Sequence, residues 1–92
     1  MTGEPPANLE VIDPGARTFP PSWRDAAIRA LYDPQRSGVV CPGCGQLFHG
    51  RRDLSLLHAD HIIAWSRGGQ TLWSNLQILC RPCNLAKQDN SW

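Results

Sequence analysis

Apolar residues in the first part of the chain follow no regular spacing until about residue 21. Residues 1–20 are rich in proline, glycine and small polar residues, a composition that predicts a flexible N-terminal arm. A helix is predicted over about residues 22–32, because four apolar residues share one helical face: Trp23, Ala27, Ala30 and Leu31. Ser22 is the expected N-cap of this helix, and Asp33-Pro34 ends it.

Shorter apolar runs follow, and they predict strands separated by turns. In chain order we expect a strand–turn–strand knuckle at 39–48, a strand at 54–63, a glycine loop at 66–70, a strand at 76–79 and a helix from 83 to about 89. Together with the N-terminal helix, these elements describe a small α+β domain over residues 21–92.

The size of the chain limits how much apolar surface it can bury. With 92 residues, of which 41% are hydrophobic, a single domain has only a thin core. A metal ion or disulfides are therefore expected to stabilise the fold. The formal net charge of +1 excludes a histone-like polycation and an acidic tail. It leaves nucleic-acid binding open, because charge can be distributed unevenly over a surface.

The four cysteines form two Cys-x-x-Cys pairs, Cys41 with Cys44 and Cys80 with Cys83. The N-terminus has no basic stretch followed by an apolar run, and no apolar segment approaches the roughly 20 residues that span a bilayer. We therefore expect an intracellular, cytoplasmic protein with no membrane partner, in which the cysteines are reduced and bind metal. A redox pair or two disulfides are the alternatives.

Four thiolates complete the tetrahedral coordination of Zn²⁺ and leave no position for a substrate, so the zinc is expected to be structural. Between Cys44 and Cys80 lie 35 residues, whereas a small zinc finger has about a dozen. A folded insert is therefore expected between the two knuckles, 41–44 and 80–83. The zinc would hold the ends of this insert together, and without the ion the domain should be largely unfolded.

Two histidines and an aspartate occur close together in the predicted strand at 54–63, as His58, Asp60 and His61. A hydrogen-bonded polar cluster at the end of a strand is one interpretation. Because alternate residues of a strand point to the same face, periodicity alone would pair His58 with Asp60 and separate Asp60 from His61.

These residues belong to a longer pattern: Asp60-His61-Ile62, Gly68-Gly69, Asn75-Leu76 and Leu79-Cys80-x-x-Cys83-Asn84-x-x-Lys87. In residue type, order and spacing the pattern resembles the HNH endonuclease family, in the branch that carries zinc-binding Cys-x-x-Cys pairs. The resemblance extends from Cys41 to about Asp89. It implies the ββα-metal fold of the family, in which two antiparallel strands and a helix surround one divalent ion, with this core at about 55–90.

The resemblance also assigns roles to individual residues. It implies that His61 is the general base and that Asn75 ties the loop and helps to orient this base. Asp60 and Asn84 would hold the catalytic ion, although many members have histidine where Asn84 stands. Lys87 is expected to contact a DNA phosphate.

Two further residues are weaker candidates. Arg67, in the predicted glycine loop, is expected to contact the substrate because arginine binds phosphate in a bidentate way. His58 could be an additional metal ligand or a hydrogen-bond partner of a ligand, and an ordinary structural hydrogen bond is the alternative.

The function that the resemblance implies is that of a metal-dependent DNA endonuclease. It would hydrolyse phosphodiester bonds with one Mg²⁺ or Mn²⁺ ion and leave 5′-phosphate and 3′-hydroxyl ends. No recognition helix is visible, so we expect weak sequence preference, and double-strand cleavage would require a homodimer or sequential nicking. The alternatives are a zinc-stapled DNA-binding module without catalysis and a zinc-ribbon protein-interaction domain. Neither alternative explains why Asp60, His61, Asn75 and Asn84 occur together.

Overall fold

Three helices and two small antiparallel sheets make up the fold in the computed structural model, which describes residues 1 and 3–87. The elements are α1 (Pro21–Leu31), β1 (Val39–Val40), β2 (Leu47–Phe48), α2 (Gly50–Leu54), β3 (Leu57–His61), β4 (Leu76–Cys80) and α3 (Arg81–Lys87). Short 3₁₀ turns cover Trp65–Arg67 and Trp73–Asn75. The small α+β class predicted from the sequence is confirmed.

Strands β3 and β4 form the antiparallel pair on which the rest of the domain packs. Their register places Leu57 opposite Cys80 and His61 opposite Leu76. Helix α3 begins directly after Cys80, so the chain passes from strand to helix with no loop between them. The helix therefore folds back against both strands.

The hydrophobic core lies between this pair of strands and α1. Strands β3 and β4 contribute residues with little or no exposure to this core, namely Leu57, Leu76, Ile78 and Leu79. Helix α1 contributes Trp23, Ala27 and Ile28. The predicted helical face was therefore wrong in part, because Ala30 and Leu31 are exposed and Ile28 is buried.

The predicted N-cap was also wrong. Helix α1 begins after Pro20 with a proline at its first position, and its N-terminus has no side-chain cap. Proline suits this position because it has no backbone N–H to leave unsatisfied. The hydroxyl of Ser22 instead donates to the Glu10 carboxylate at 2.7 Å.

The strand predicted over 54–63 is shorter than expected. Residues 50–54 form the helix α2, which Gly50 opens at a φ of +79°. The carboxylate of Asp53 accepts a hydrogen bond from the backbone N–H of His49, and this contact favours a helical turn over an extended strand. The last helix, predicted to begin at residue 83, begins two residues earlier, at Arg81. Its predicted end at Asp89 lies outside the described residues.

The predicted N-terminal arm lies against the domain. Its described residues form no helix or strand, but Leu9, Ile12 and Phe19 pack against the core. The indole N–H of Trp23 donates to the Glu10 carbonyl at 2.7 Å. No helix in the described part of the chain has the length and apolar character needed to cross a membrane.

The glycine pair after the first 3₁₀ turn offers a matched test of the loop geometry. A Cβ on Gly69 would lie 1.7 Å from the Ile63 carbonyl oxygen, whereas a Cβ on Gly68 would meet nothing within 4 Å. Gly68 has a φ of +91°, so alanine there is strained only by its backbone, at about 1–2 kcal/mol. We expect Gly69→Ala to cost more, about 3 kcal/mol, because the backbone must move. Thermal unfolding of the two variants measures the difference, and equal melting temperatures would contradict this loop packing.

Candidate active site

The four cysteine side chains converge at one point between the two knuckles. All four sulfur atoms lie within 4.8 Å of one another, and the Sγ atoms of Cys44 and Cys80 are 3.8 Å apart. A tetrahedral zinc ion with Zn–S bonds of about 2.3 Å requires sulfur–sulfur distances of about 3.8 Å. All four cysteines are free, so the two disulfides considered as an alternative are not formed in this structure. The cluster therefore fits a structural zinc ion.

Backbone geometry prepares this cluster for a cation. The Cys80 backbone N–H donates to the sulfur of Cys41 at 3.4 Å, and Gly45, at a φ of +75°, closes the first knuckle. Burial opposes ionisation of Cys41, but backbone N–H groups, with that of Cys80 foremost, lower its pKa to about 7. The neighbouring sulfurs, with that of Cys80 foremost, raise the pKa of Cys83 to about 12. A bound cation would allow all four sulfurs to be thiolates together, because it favours the thiolate form of every ligand.

A second polar centre lies at the opposite end of the β3–β4 pair, around Asp60. Its Oδ2 atom accepts a hydrogen bond from Gln77, directly across the sheet, at 2.9 Å and forms an ion pair with the Lys87 ammonium group at 3.1 Å. Among the described residues, no donor contacts the other oxygen, Oδ1. The carboxylate is thus held in place through one oxygen, and the second remains available to a ligand.

The side chain of Lys87 lies buried beside Asp60. Its side chain is only 1% exposed, and its ammonium group donates to the His61 carbonyl at 2.8 Å as well as pairing with Asp60. A charge buried to this degree needs a partner of opposite charge. In the structure Lys87 therefore pairs with Asp60, attaches α3 to the end of β3 and lines the pocket beside Asp60 and His61.

The imidazole of His61 is held in one orientation by the residues around it. Its Nε2 atom lies 2.8 Å from the hydroxyl oxygen of Thr71, and the Phe19 ring packs against it with centroids 4.4 Å apart. The Thr71 hydroxyl donates its hydrogen to the Ala16 carbonyl, so it can only accept from His61. This arrangement places the imidazole hydrogen on Nε2 and leaves the lone pair on Nδ1.

The surroundings also favour the neutral form of His61. Burial lowers the pKa of this imidazole, the Asp60 carboxylate opposes the shift, and the Lys87 ammonium adds to it. A neutral imidazole with a free Nδ1 lone pair can accept a proton from water.

Asp60 and His61 line the same pocket, of about 230 Å³, although neighbours on a regular strand point to opposite faces. Both side chains can reach this pocket because β3 ends at His61, and the strict alternation of side chains between the two faces ends with the strand. His58 lies opposite Leu79 within the strand and is absent from the residues that line this pocket. The structure thus brings Asp60 and His61 together but not His58.

The side chain of Asn75 joins the loop after β3 to the start of β4. Its Oδ1 accepts from the Ile63 backbone N–H at 2.8 Å, and its Nδ2 donates to the carbonyls of Ile63 and Gln70 at 3.1 and 2.8 Å. Asn75 therefore fixes the chain immediately beyond His61.

The other two residues predicted from the sequence lie on α3 and in the first 3₁₀ turn. Asn84 is half-buried, one helical turn before Lys87 and hence on the same side of α3 as the residue that contacts Asp60. Arg67 is exposed, and the residues that line the pocket include neither Arg67 nor Asn84.

Two residues of this site were missed by the sequence analysis. Thr71 is buried against His61, and Arg17, from the arm, lines the pocket beside Asp60 and His61. A threonine near a glycine loop has no distinctive pattern, and the composition of the arm indicated only flexible chain.

Comparison with protein families gives a match to the HNH endonuclease model over residues 41–90. This range is more than half of the chain, and it contains both cysteine pairs and the polar centre, while the arm and α1 lie outside it. Neither the comparison with curated proteins nor that with solved structures gives a match.

The sulfur cluster generates a prediction about folding. Cys83→Ser removes one of the four zinc ligands, and we expect it to lose the ion and to be largely unfolded at 25 °C, because zinc binding supplies roughly 10 kcal/mol or more in such domains. His61→Ala should remain folded, since His61 lies outside the cluster. Circular dichroism and zinc content measure both properties. Equal loss of fold in the two variants would contradict the structural assignment of the cluster.

A second prediction concerns the hydrogen position on His61. The ¹⁵N chemical shifts of the neutral ring should show the Nε2–H tautomer, and Thr71→Ser should preserve it because the hydroxyl remains. Thr71→Val removes the acceptor and should shift the ring towards a mixture of tautomers. The exposed His49 serves as the internal reference. An Nδ1–H tautomer in the unaltered protein would contradict donation of the Thr71 hydroxyl to the Ala16 carbonyl.

Proposed function

Because the chain belongs to the HNH endonuclease family, we propose that it is a metal-dependent endonuclease that hydrolyses phosphodiester bonds in DNA. The family supports nuclease activity in general. The observation that carries the more specific proposal is the pocket in which an oriented imidazole, His61, lies beside a fixed carboxylate, Asp60.

Asp60 and Asn84 are the residues that would hold the catalytic divalent ion. Carboxylate and amide oxygens are typical ligands of Mg²⁺ and Mn²⁺, and the free Oδ1 atom of Asp60 meets this requirement. When bound, such an ion would neutralise the phosphate and stabilise charge on the leaving 3′-oxygen. The zinc cluster is separate from this chemistry, because four thiolates leave no open coordination position.

His61 is the proposed general base. Its Nδ1 atom would take a proton from the attacking water while Nε2–H remains bonded to Thr71. Asn75 would support this step indirectly, because it fixes the backbone at Ile63, two residues beyond the base. Attack on phosphorus with departure of the 3′-oxygen leaves 5′-phosphate and 3′-hydroxyl ends.

The proposed substrate is DNA, recognised mainly through its backbone. Exposed arginines, Arg67 among them, could contact phosphates near the pocket. Backbone contacts carry no sequence information, so we propose weak sequence preference and binding that weakens with salt. Cleavage of both strands would proceed by sequential nicking or through a homodimer.

A zinc-stapled DNA-binding module without catalysis is the second candidate. Such a module needs the cysteines and a basic surface, but it gives no role to an imidazole whose tautomer is set by Thr71. The ion pair between Asp60 and the buried Lys87 is compatible with both candidates, so the oriented base is the feature that favours the nuclease.

Nicking of supercoiled plasmid in Mg²⁺ or Mn²⁺ tests the proposed function. We expect the native chain to nick, and His61→Ala to be slower by about 10²–10⁴-fold, because a general base typically contributes this factor. His49→Ala, at an exposed histidine, is the matched control and should retain full activity. The nicked ends should be sealed by DNA ligase, which requires the proposed 5′-phosphate and 3′-hydroxyl. Binding of DNA without nicking in any divalent ion would favour the second candidate instead.

A further inference from the structure

The N-terminal segment Pro14–Phe19 is attached to the proposed active site at several points. The Thr71 backbone N–H donates to the Pro14 carbonyl at 2.8 Å, and the Thr71 hydroxyl donates to the Ala16 carbonyl. At the other end of the segment, the Phe19 ring packs on His61. Arg17 lies between these contacts, so its position at the pocket is set by the anchored chain on both sides of it.

The guanidinium of Arg17 is oriented at the edge of this pocket. It lies over the Trp65 ring, 5.1 Å from the centroid, and both residues line the pocket together with Asp60 and His61. A cation–π contact of this kind holds the planar group by its face. The N–H groups around the edge of the guanidinium then remain available to an acceptor.

The charged side chains that line the pocket differ in whether they have a partner of opposite charge. Lys87 pairs with Asp60 at 3.1 Å, so its charge is already balanced within the pocket. Among the described residues that line the pocket, Arg17 is the one cation without a carboxylate partner. A negatively charged ligand that enters the pocket would therefore meet the positive charge of Arg17 first.

We propose that Arg17 binds a phosphate of the DNA substrate at this pocket, so that the segment Pro14–Phe19 is part of the substrate-binding site. The proposal rests on the proposed endonuclease function for the identity of the phosphate. A guanidinium can form two parallel hydrogen bonds to one phosphate, with geometric specificity that a lysine ammonium lacks. Arg17 lies outside the matched range 41–90, so this part of the site belongs to the chain beyond the family core.

Fluorescence anisotropy with a double-stranded oligonucleotide, in Ca²⁺ or without divalent ion, measures binding separately from cleavage. We expect Arg17→Met, which keeps a side chain that can pack on Trp65 but removes the charge, to bind roughly 10- to 100-fold more weakly. The plot of log affinity against log salt concentration should become less steep, by the amount expected for the loss of about one phosphate contact. Arg17→Lys should recover part of the affinity, because it restores the charge without the bidentate geometry.

Arg36→Met is the matched control, since it removes the same charge from an exposed arginine whose partner is Asp33 at 3.6 Å. It should bind and nick like the native chain. If Arg17→Met matches Arg36→Met in affinity and salt slope, the assignment of Arg17 is wrong. A second outcome would also overturn the proposal: Arg17→Met and Arg17→Lys lose affinity to the same extent, and both lose the Nε2–H tautomer of His61. In that case Arg17 acts by holding the arm in place and not by binding a phosphate.

The outcomes for Arg17 and for the proposed function can be distinguished. A native chain that binds DNA but does not nick it contradicts the endonuclease, while selective loss of binding in Arg17→Met would still support phosphate contact by Arg17. If the native chain nicks plasmid, the endonuclease is supported. If Arg17→Met then nicks equally well at low DNA concentration, the proposed role of Arg17 is contradicted.

Discussion

Four sulfur atoms within 4.8 Å of one another connect the parts of a chain whose apolar core is small. Cys41 and Cys44 come from the turn between β1 and β2, Cys80 ends β4, and Cys83 lies in the first turn of α3. An ion bound there fixes the direction in which α3 leaves the sheet. This direction carries Lys87, at the far end of the described helix, to Asp60 at the end of β3. The geometry of the proposed active site thus depends on the four-cysteine cluster at the other end of the β3–β4 pair, which fits a structural zinc ion.

The polar centre shows how a buried charge can prepare a carboxylate for its function. Lys87 and Gln77 both contact Oδ2 of Asp60, so the carboxylate is held in one position while Oδ1 remains available. A carboxylate that is already fixed loses little conformational entropy when it binds an ion. Beside it, Thr71 and the arm hold His61, so the two functional groups are oriented by different parts of the chain.

Residue types and spacing in the sequence were sufficient to predict the cysteine cluster, the β3–β4 pair, the following helix and the family. These features depend on local spacing, which a sequence displays directly. The burial of Lys87 could not be predicted in this way, because it depends on how α3 crosses the sheet. Similarly, Ile28 replaces Ala30 and Leu31 in the core because the position of the sheet, and not helical periodicity alone, decides which face is covered. The positions of Thr71 and Arg17 depend on contacts over more than 45 residues, between an irregular arm and the loop after β3.

X-ray absorption at the zinc edge tests most directly whether the metal that holds the fold together is separate from the chemistry at Asp60. The structure predicts one zinc ion per chain with four sulfur neighbours at about 2.3 Å and no lighter atom in the coordination shell. Nitrogen or oxygen neighbours at about 2.0–2.2 Å would place the ion at histidine or carboxylate side chains instead. That result, or protein that is folded without zinc, would contradict the account given above.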